Sequence, residues 1–283
     1  MLKKSSIDQM NRNLPVMTQA AVPITQEIEV VDEQGRAKVI SIPGERPLTI
    51  YLDKRELVTL MTLGAAPEAL VLGYLRNQKL VEHVEDIESV QVDWETESAA
   101  VKTRAQTVDI EARTSKKIVT TGCGQGTIFG EVMEDLEDIY LPEQMVVTQG
   151  EVYQIVDVIR THPSIYKQAG SVHACAVFEK TTTGIELLYF IEDVGRHNAV
   201  DSISGLMWLE GRTGENLIFY TTGRLTSEMV IKGGQMGIPL LLTRSGATQM
   251  GLEIAKKINL TLLARCSGKH FLIYNAPQRL RFD

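Results

Sequence analysis

Residues 217–248, LIFYTTGRLTSEMVIKGGQMGIPLLLTRSGAT, decide the fold. Two apolar runs, 217–221 and 238–243, flank a helical segment at 226–236, and each run ends in a polar turn. Short continuous apolar runs are typical of strands covered on both faces, and strands joined through helices are typical of parallel pairing. We therefore predict an α/β fold whose sheet has parallel members and helices on both faces.

The same alternation extends from this stretch in both directions. Residues 148–151, TQGE, form a capping box, and an apolar stripe follows it at Val152, Ile155, Val156 and Ile159. Further strands are predicted at 172–178, 187–191, 260–263 and 271–274, and further helices at 194–209, with Asp193 as N-cap, and at 248–258. Residues 148–283 are therefore predicted to form one domain.

The N-terminal part of the chain has a different pattern. Residues 27–42 alternate between apolar and polar around a turn at 33–36, which predicts a hairpin. Further strands are predicted at 48–52, 87–93 and 99–110, and a helix opens at Pro67. We predict a small α+β domain over 25–113, a flexible segment over 1–24 before it, and a connector over 114–147 after it.

The composition is that of an ordinary globular protein, with 43% apolar residues, 23% charged residues and a net charge of −7. No run reaches the roughly 18–20 apolar residues of a membrane span, and no secretory h-region follows the N-terminus, so no membrane partner is expected. The 3 cysteines are too few, and odd in number, for a disulfide framework. A cytoplasmic protein that binds no nucleic acid is expected, since aromatics are only 6% and no basic stripe occurs.

Cys123 lies in a glycine-rich segment, TTGCGQG at 120–126. A thiol between glycines is expected to be accessible, and its thiolate is nucleophilic when a nearby base or amide dipoles lower its pKa. The alternative is a small residue in a tight turn, although little apolar surface flanks the sulfur. No metal site is expected here, because no second cysteine lies at Cys-x-x-Cys spacing and no histidine is near.

Two strand-to-helix turns carry groups that bind anions. The first is TGR at 222–224, with Arg224, and the second is RSGAT at 244–248, with Arg244, Ser245 and Thr248. Each places free amides, a hydroxyl and an arginine at a helix N-terminus beyond a strand, which is the usual geometry for phosphate. The alternative is that the hydroxyls are only helix caps. As a pair, the turns fit a diphosphate or a dinucleotide.

A polar cluster opens the helix that follows Asp193. Arg196, His197 and Asn198 lie in its first turn, and Asp201 shares a helix face with His197, so that its carboxylate can fix the imidazole tautomer. The cluster predicts a lined pocket, with a solvated first turn as the alternative.

A deaminase reaction at zinc is disfavoured by the segment at 173–175, HAC. Zinc nucleobase deaminases use His-x-Glu with a later Pro-Cys-x-x-Cys, whereas Cys175 occupies the glutamate position here and no such cysteine pair follows. Cys175 is expected to be a small buried residue.

With these motifs in place, most of the chain resembles the formate dehydrogenase accessory sulfurtransferase family. The likeness is carried by seven segments: ERPL at 45–48, TGCG at 121–124, DVGRHNA at 193–199, TGR at 222–224, EMVIK at 228–232, GIP at 237–239 and RSGAT at 244–248. The order of DVGRHNA and EMVIK is the most specific part of the resemblance.

The resemblance implies a cytidine-deaminase-like three-layer α/β/α domain without the zinc site, paired as a homodimer. It implies that sulfur is taken as a persulfide from a cysteine desulfurase and passed to bis-molybdopterin guanine dinucleotide for formate dehydrogenase. Cys123 would carry the persulfide, a guanine nucleotide would mimic the cofactor, and no structural metal is implied. The family's short cofactor-binding segment corresponds to Arg265, Cys266, Ser267, Gly268, Lys269 and His270. Together with His197, Arg224, Arg244, Ser245 and Thr248, this segment is the predicted pocket.

Two departures from the family pattern leave a choice of function. The family commonly has a second cysteine where Gly126 stands here, and arginines where Ser267 and His270 stand. One thiolate suffices to accept and donate a sulfane sulfur, but a disulfide release step at position 126 is not possible. The first hypothesis is therefore sulfur transfer through Cys123, and the second is a cofactor-binding chaperone without the thiol step. Lys232 is given no chemical role.

Overall fold

The computed structural model describes residues 13–104, 119–120, 126–127, 136 and 139–282. The chain forms two compact units that interleave in sequence. The first comprises Met1–Ile24, Gly44–Ile128 and Asp201–Arg212, and the second comprises Thr25–Pro43, Phe129–Val200 and Thr213–Asp283. The domain limits predicted above run in sequence order, whereas each unit joins segments that are distant along the chain.

The described residues contain the following elements. The strands are β1 (Val16–Met17), β2 (Thr25–Val31), β3 (Ala37–Pro43), β4 (Arg46–Leu52), β5 (Arg55–Thr62), β6 (Ile87–Asp93), β7 (Ser98–Thr103), β8 (Val119–Thr120), β9 (Gly126–Thr127), β10 (Val147–Thr148), β11 (His173–Lys180), β12 (Ile185–Asp193), β13 (Leu217–Thr221), β14 (Leu240–Thr243), β15 (Thr261–Ser267), β16 (His270–Asn275) and β17 (Leu280–Arg281). The helices are α1 (Pro67–Asn77), α2 (Gln149–Thr161), α3 (Ile165–Ala169), α4 (Arg196–Glu210), α5 (Ser227–Gln235) and α6 (Gln249–Lys257), with 3-10 turns at Val84–Asp86 and Pro277–Arg279. Over the described part of the chain, none of these helices has the length and apolar character of a membrane span.

The first unit is built on a five-stranded sheet with the order β1-β6-β7-β4-β5. Pro67 fills an N-terminal position of α1, as predicted, since its missing N–H has no helical partner there. Leu70, Leu72 and Leu75 of α1 are buried in one core with the strand residues Leu48 and Ile50.

Part of the segment expected to be flexible is held in this unit. Val16 and Met17 pair in parallel with β6. The Thr18 hydroxyl and the Ala20 amide both donate to the Glu68 carboxylate, at 2.7 Å and 2.8 Å. These contacts are polar, so they leave no periodic apolar pattern in the sequence.

The second unit is built on a six-stranded sheet with the order β12-β11-β13-β14-β15-β16. Strands β13, β14 and β15 are parallel, while β12, β11 and β16 pair antiparallel with their neighbours. The prediction of an α/β fold with parallel members is therefore confirmed. The hairpin predicted at 27–42 is also confirmed, as β2 and β3.

Helices cover both faces of this sheet. Val152, Ile155 and Val156 of α2 are buried with Tyr220 and Leu242 of the sheet, and the predicted capping box at Thr148 is present. Leu241 points the other way from Leu242 because successive strand side chains alternate. A Cβ added at Gly233 of α5 would lie 2.7 Å from the Leu241 side chain, so α5 packs on that second face.

Candidate functional site

The two predicted turns lie side by side in the second unit. Thr221 of β13 pairs with Thr243 of the parallel strand β14, so both turns follow the carboxyl ends of neighbouring strands. The Thr243 hydroxyl donates to the Gly223 carbonyl at 2.6 Å, and the Leu225 amide donates to the Gly246 carbonyl at 3.0 Å. These bonds fix one turn against the other.

The first turn is close-packed because Gly223 lacks a side chain. A Cβ at Gly223 would lie 3.0 Å from Cδ and 3.3 Å from Cβ of Arg196. Arg196 and its helix neighbours His197 and Asn198 are each no more than 5% exposed. The alternative of a solvated first turn in α4 is therefore wrong, and the polar cluster is buried against the anion-competent turn.

His173 lies among positively charged groups at this edge of the sheet. It begins β11, which is antiparallel to β13 and so brings the imidazole to the carboxyl end of β13. The pKa of His173 is lowered, first by burial and then by the positive charges of Arg196, His197, Arg224 and Arg244. Cationic groups from three segments thus converge here, which favours an anionic ligand.

Removal of one of these charges should move the titration of His173. In an Arg224→Gln variant we expect a higher pKa for His173, since the guanidinium that opposes protonation is gone. A lowered pKa favours the neutral imidazole in the folded state. The stability it contributes is therefore complete above the unfolded value of about 6.5 and is lost as pH falls through the folded value. NMR pH titration of His173 measures this midpoint. An unmoved midpoint would contradict the converging charges, and Arg36→Gln, on the exposed β2–β3 hairpin, is the control that should leave it in place.

His197 has a partner that the sequence analysis missed. Its Nε2 lies 2.9 Å from Oε2 of Glu228, and both side chains are buried. Burial lowers the pKa of His197, Glu228 opposes that effect, and the charge of Lys232 adds to the lowering. The predicted partner, Asp201, accepts a hydrogen bond from the Asn77 side chain at 2.6 Å. Glu228 and Lys232 are four residues apart on α5, so the helix itself supplies both charges to the imidazole.

In the second turn the Thr248 hydroxyl is a helix cap, which confirms the alternative interpretation for that residue. Thr248 is the N-cap of α6, and its hydroxyl accepts from the Gly251 amide at 3.2 Å. The Ser245 amide donates to the Thr243 hydroxyl at 2.9 Å, so this amide is also engaged. An anion at this turn would therefore be held by arginine side chains rather than by these two groups.

Arg265 reaches the second turn from the neighbouring strand. Its φ is 58°, in the left-handed region, and it lies at an irregularity in the β15–β16 pairing. Such bulges redirect a side chain. The Arg265 amide donates to the Ser245 carbonyl at 2.8 Å, and a Cβ added at Gly246 would lie 3.8 Å from Nε and Nη2 of Arg265. Arg265 therefore adds a cation over the Gly246 turn.

A cavity of about 280 Å³ lies on the face of the sheet that α2 covers. Of the predicted residues, Arg244, Cys266, Ser267 and Gly268 line it. Tyr166, Phe190 and Tyr220 give it aromatic walls, and Arg160 and Lys167 add positive charge, together with one carboxylate, Glu192. The cavity therefore suits a planar ring that carries or adjoins negative charge.

The two cysteines within the described residues are not nucleophiles. Cys266 is 1% exposed, and burial raises its pKa to about 12, so its thiol is a neutral part of the cavity wall. Cys175 is fully buried, and its predicted role as a small core residue is confirmed. Cys123 lies outside the described residues.

The other predicted residues lie elsewhere in the second unit. Lys269 and His270 line a different, open cavity of about 350 Å³ beside Tyr153 and Phe271. Arg224 is exposed at the first turn. The predicted segment 265–270 is thus divided between the second turn and two cavities. Within the described residues, no three His, Cys, Asp or Glu side chains are grouped to hold a metal ion.

Tyr166 and Glu192, which line the cavity of about 280 Å³, were not among the predicted site residues. The signal for Tyr166 was Ser164, whose hydroxyl caps α3 by accepting from the Lys167 amide at 3.3 Å. The signal for Glu192 was a carboxylate near the end of the apolar strand β12, where it is 6% exposed. A buried acid in an apolar strand needs donors, and here the amides that open α3 supply them.

The fold and this site define a class of α/β protein in which arginine side chains gather at neighbouring strand-to-helix turns. Comparison with known proteins is more specific, because the FdhD/NarQ family model matches residues 43–281, and the chain belongs to that family. The resemblance drawn from the motifs is therefore confirmed.

Relatives with known names are similar to this chain in sequence over most of its length. The Sulfur carrier protein FdhD of Sulfurisphaera tokodaii is 30% identical over 262 residues, covering 91% of this chain and 96% of the relative. The protein of the same name from Listeria monocytogenes serotype 4b is 26% identical over 242 residues, covering 85% of this chain and 91% of the relative. A crystal structure of a formate dehydrogenase accessory protein from Desulfotalea psychrophila is similar, with a TM-score of 0.70 and 28% identity, over 91% of this chain and 99% of that one.

Proposed function

We propose that this chain accepts sulfur as a persulfide on Cys123 from a cysteine desulfurase and passes it to bis-molybdopterin guanine dinucleotide for formate dehydrogenase. In the first step the Cys123 thiolate attacks the terminal sulfur of the donor persulfide. The S–S bond of the donor breaks, an S–S bond forms at Cys123, and the donor cysteine leaves as a thiolate. The terminal sulfur moves without an external oxidant or reductant. Family membership and the sulfur-carrier names of the relatives support this step.

The observation that carries the cofactor part is the set of positively charged side chains around His173, beside an aromatic cavity. Arg196, Arg224 and Arg244 all act on this imidazole at the ends of β13 and β14. A dinucleotide cofactor needs cations for its diphosphate and a flat apolar surface for its rings. The described residues offer both within one unit.

The size of the cavity sets which part of the cofactor it takes. At about 280 Å³ it is near the lower end of small-molecule pockets, and it suits one bicyclic ring rather than the whole cofactor. The diphosphate then lies along the exposed turns, near Arg224 and Arg265. Ser267, which replaces a family arginine, supplies no bidentate contact, so Arg224 and Arg265 are the proposed phosphate ligands.

The finer architecture is part of the same proposal. We propose that the second unit has the cytidine-deaminase-like α/β/α layering of the family, that two copies form a homodimer, and that the protein acts in the cytoplasm. The similarity to a formate dehydrogenase accessory protein supports the layering.

Loading of sulfur onto Cys123 is the test of this function. After incubation with a cysteine desulfurase and cysteine, intact-mass measurement should show a gain of one sulfur atom that dithiothreitol removes. Cys123→Ala should gain none, whereas Cys175→Ala, which keeps the proposed carrier, should gain one. A sulfur that persists on Cys123→Ala would exclude Cys123 as the carrier.

A second candidate function is a cofactor-binding chaperone without sulfur transfer. It is favoured by Gly126, which stands where the family commonly has its second cysteine. The same mass measurement separates the two: a protein that binds guanine nucleotide but gains no sulfur from an active desulfurase is the chaperone.

A further inference from the structure

We propose that Glu192 and Tyr166 select the ring in the cavity of about 280 Å³ on the face of the sheet that α2 covers, and that the ring is a 2-amino-4-oxopyrimidine. This inference rests on the proposed cofactor site and names its specificity residues. The ring class is shared by guanine and by pterin, and its polar edge presents a ring N–H beside an exocyclic amino group.

Tyr166 provides the flat surface. It lies in α3, its side chain is 50% exposed, and it lines the cavity. The Arg244 guanidinium carbon lies 5.4 Å from the centroid of its ring, so an aromatic face and a cation stand together at the cavity wall. Heteroaromatic rings stack on both kinds of surface.

Glu192 provides the hydrogen-bond acceptor. Its Oε2 accepts from the Ile165 amide at 2.6 Å, and its Oε1 accepts from the Tyr166 amide at 3.2 Å. These bonds hold α3, and with it Tyr166, against the end of β12. Each carboxylate oxygen has a second lone pair, and Glu192 lines the cavity.

The surroundings of Glu192 favour further donors. No ion pair to Glu192 occurs among the described residues, although it is only 6% exposed. Burial raises the pKa of Glu192, and the two amide bonds and the charges of His162 and Lys167 only partly oppose that effect. A buried carboxylate with so little compensation is stabilised by N–H donors from a ligand.

Two adjacent donors identify the ring. A carboxylate can accept from the ring N–H and the amino group of a 2-amino-4-oxopyrimidine at once, as a bidentate pair. Adenine presents a ring nitrogen acceptor at the corresponding edge, which would face the carboxylate without a proton. Inosine lacks the amino group, and xanthosine has an oxygen in its place.

A nucleotide series on the full-length protein tests this assignment. We expect GDP to bind about tenfold or more tightly than IDP, since one charge-assisted hydrogen bond is lost, and XDP to bind more weakly still. In Glu192→Gln the ratio of the affinity for GDP to the affinity for IDP should fall to about one. The control Glu186→Gln, an exposed position on the same strand, should keep the wild-type ratio.

The ratio separates a specificity role from a purely structural one. If Glu192 only holds α3, its replacement weakens GDP and IDP alike and leaves their ratio unchanged, which would overturn the proposal. Equal binding of GDP and IDP, or no binding of either, by the wild-type protein would also overturn it. If Glu192→Gln does not fold, Glu192→Asp is the second variant. Its shorter side chain keeps the charge but holds the carboxylate further from the ring, so the affinity ratio should fall.

Competition with free pterin tells which end of the cofactor enters the cavity. Displacement of GDP by pterin assigns the cavity to the ring class as a whole, and its absence assigns the cavity to the guanine end. Sulfur loading on Cys123 does not involve Glu192, so a failure of loading would remove the proposed sulfur step and leave this nucleotide series unaffected.

Discussion

Replacement of Gly205 by alanine should lower the free energy of unfolding by about 3 kcal/mol. Gly205 lies in α4, where a Cβ would overlap the carbonyl oxygen of Ala69 in α1 and lie 2.8 Å from its carbonyl carbon. The same Cβ would lie 2.9 Å from the backbone nitrogen of Gly73. In turn, a Cβ added at Gly73 would overlap the backbone carbonyl oxygen of Asp201 in α4. Because the three nearest atoms all belong to backbone, only separation of the two helices makes room for the methyl group. Alanine is otherwise the better helix former by about 1 kcal/mol, so the sign of the change is diagnostic.

Gly234→Ala is the matched control for this substitution. Gly234 is also a helical glycine, but the nearest atoms to an added Cβ are the ends of the Ile258 and Ile139 side chains, at 2.8 Å and 3.3 Å. Those side chains can rotate away, so a much smaller loss is expected. Urea denaturation of both variants measures the difference. Equal stabilities for Gly205→Ala and Gly234→Ala would show that α1 and α4 are not in backbone contact.

Replacement of Arg279 by methionine should cost about 3 kcal/mol or more. Arg279 is fully buried, and its guanidinium donates twice to the Pro142 carbonyl, at 3.1 Å and 3.0 Å, and once to the Asn259 carbonyl at 2.6 Å. A fourth bond reaches the Thr261 hydroxyl at 3.3 Å. Methionine fills the volume but leaves these acceptors buried without donors. Lysine keeps the charge but not the planar fork, so an intermediate loss is expected.

Arg281→Met is the control, because Arg281 lies two residues further on and is exposed. Its loss should stay within about 0.5 kcal/mol. Chemical denaturation again gives the values. If Arg279→Met and Arg281→Met were equally stable, the buried guanidinium would not hold the end of the connector to the sheet. Arg279 thus serves structure rather than ligand binding.

The elements of the second unit were predictable where apolar runs were continuous. The strand at 217–221 was placed at its observed limits, because all five of its residues are buried. Strand β5 was missed, since its residues are mostly half-exposed or exposed and give no regular alternation. The helix predicted from 194 begins at Arg196, because Asp193 still belongs to β12 and its carboxylate accepts from the Asn198 side chain at 2.9 Å.

The part of the site formed by motifs at the ends of adjacent strands was predictable. Arg224 and Arg244 follow parallel neighbours, so the order of elements alone brings their turns together. The contacts of Glu228 and Glu192 were not predictable, because each residue acts on a partner that is distant in sequence and reaches it only through the packing of the unit. The position of Arg265 depends on a bulge in β15, for which the sequence carries no recognisable signal.

Delivery of sulfur from the loaded protein tests the central claim most directly. Protein carrying isotopically labelled persulfide would be purified away from the desulfurase and mixed with molybdenum-cofactor-containing formate dehydrogenase that lacks activity. The account predicts that wild-type protein transfers the label and restores activity, whereas Arg224→Gln/Arg244→Gln takes up the label on Cys123 but does not deliver it. Equal delivery by both proteins would contradict a cofactor site at the ends of β13 and β14.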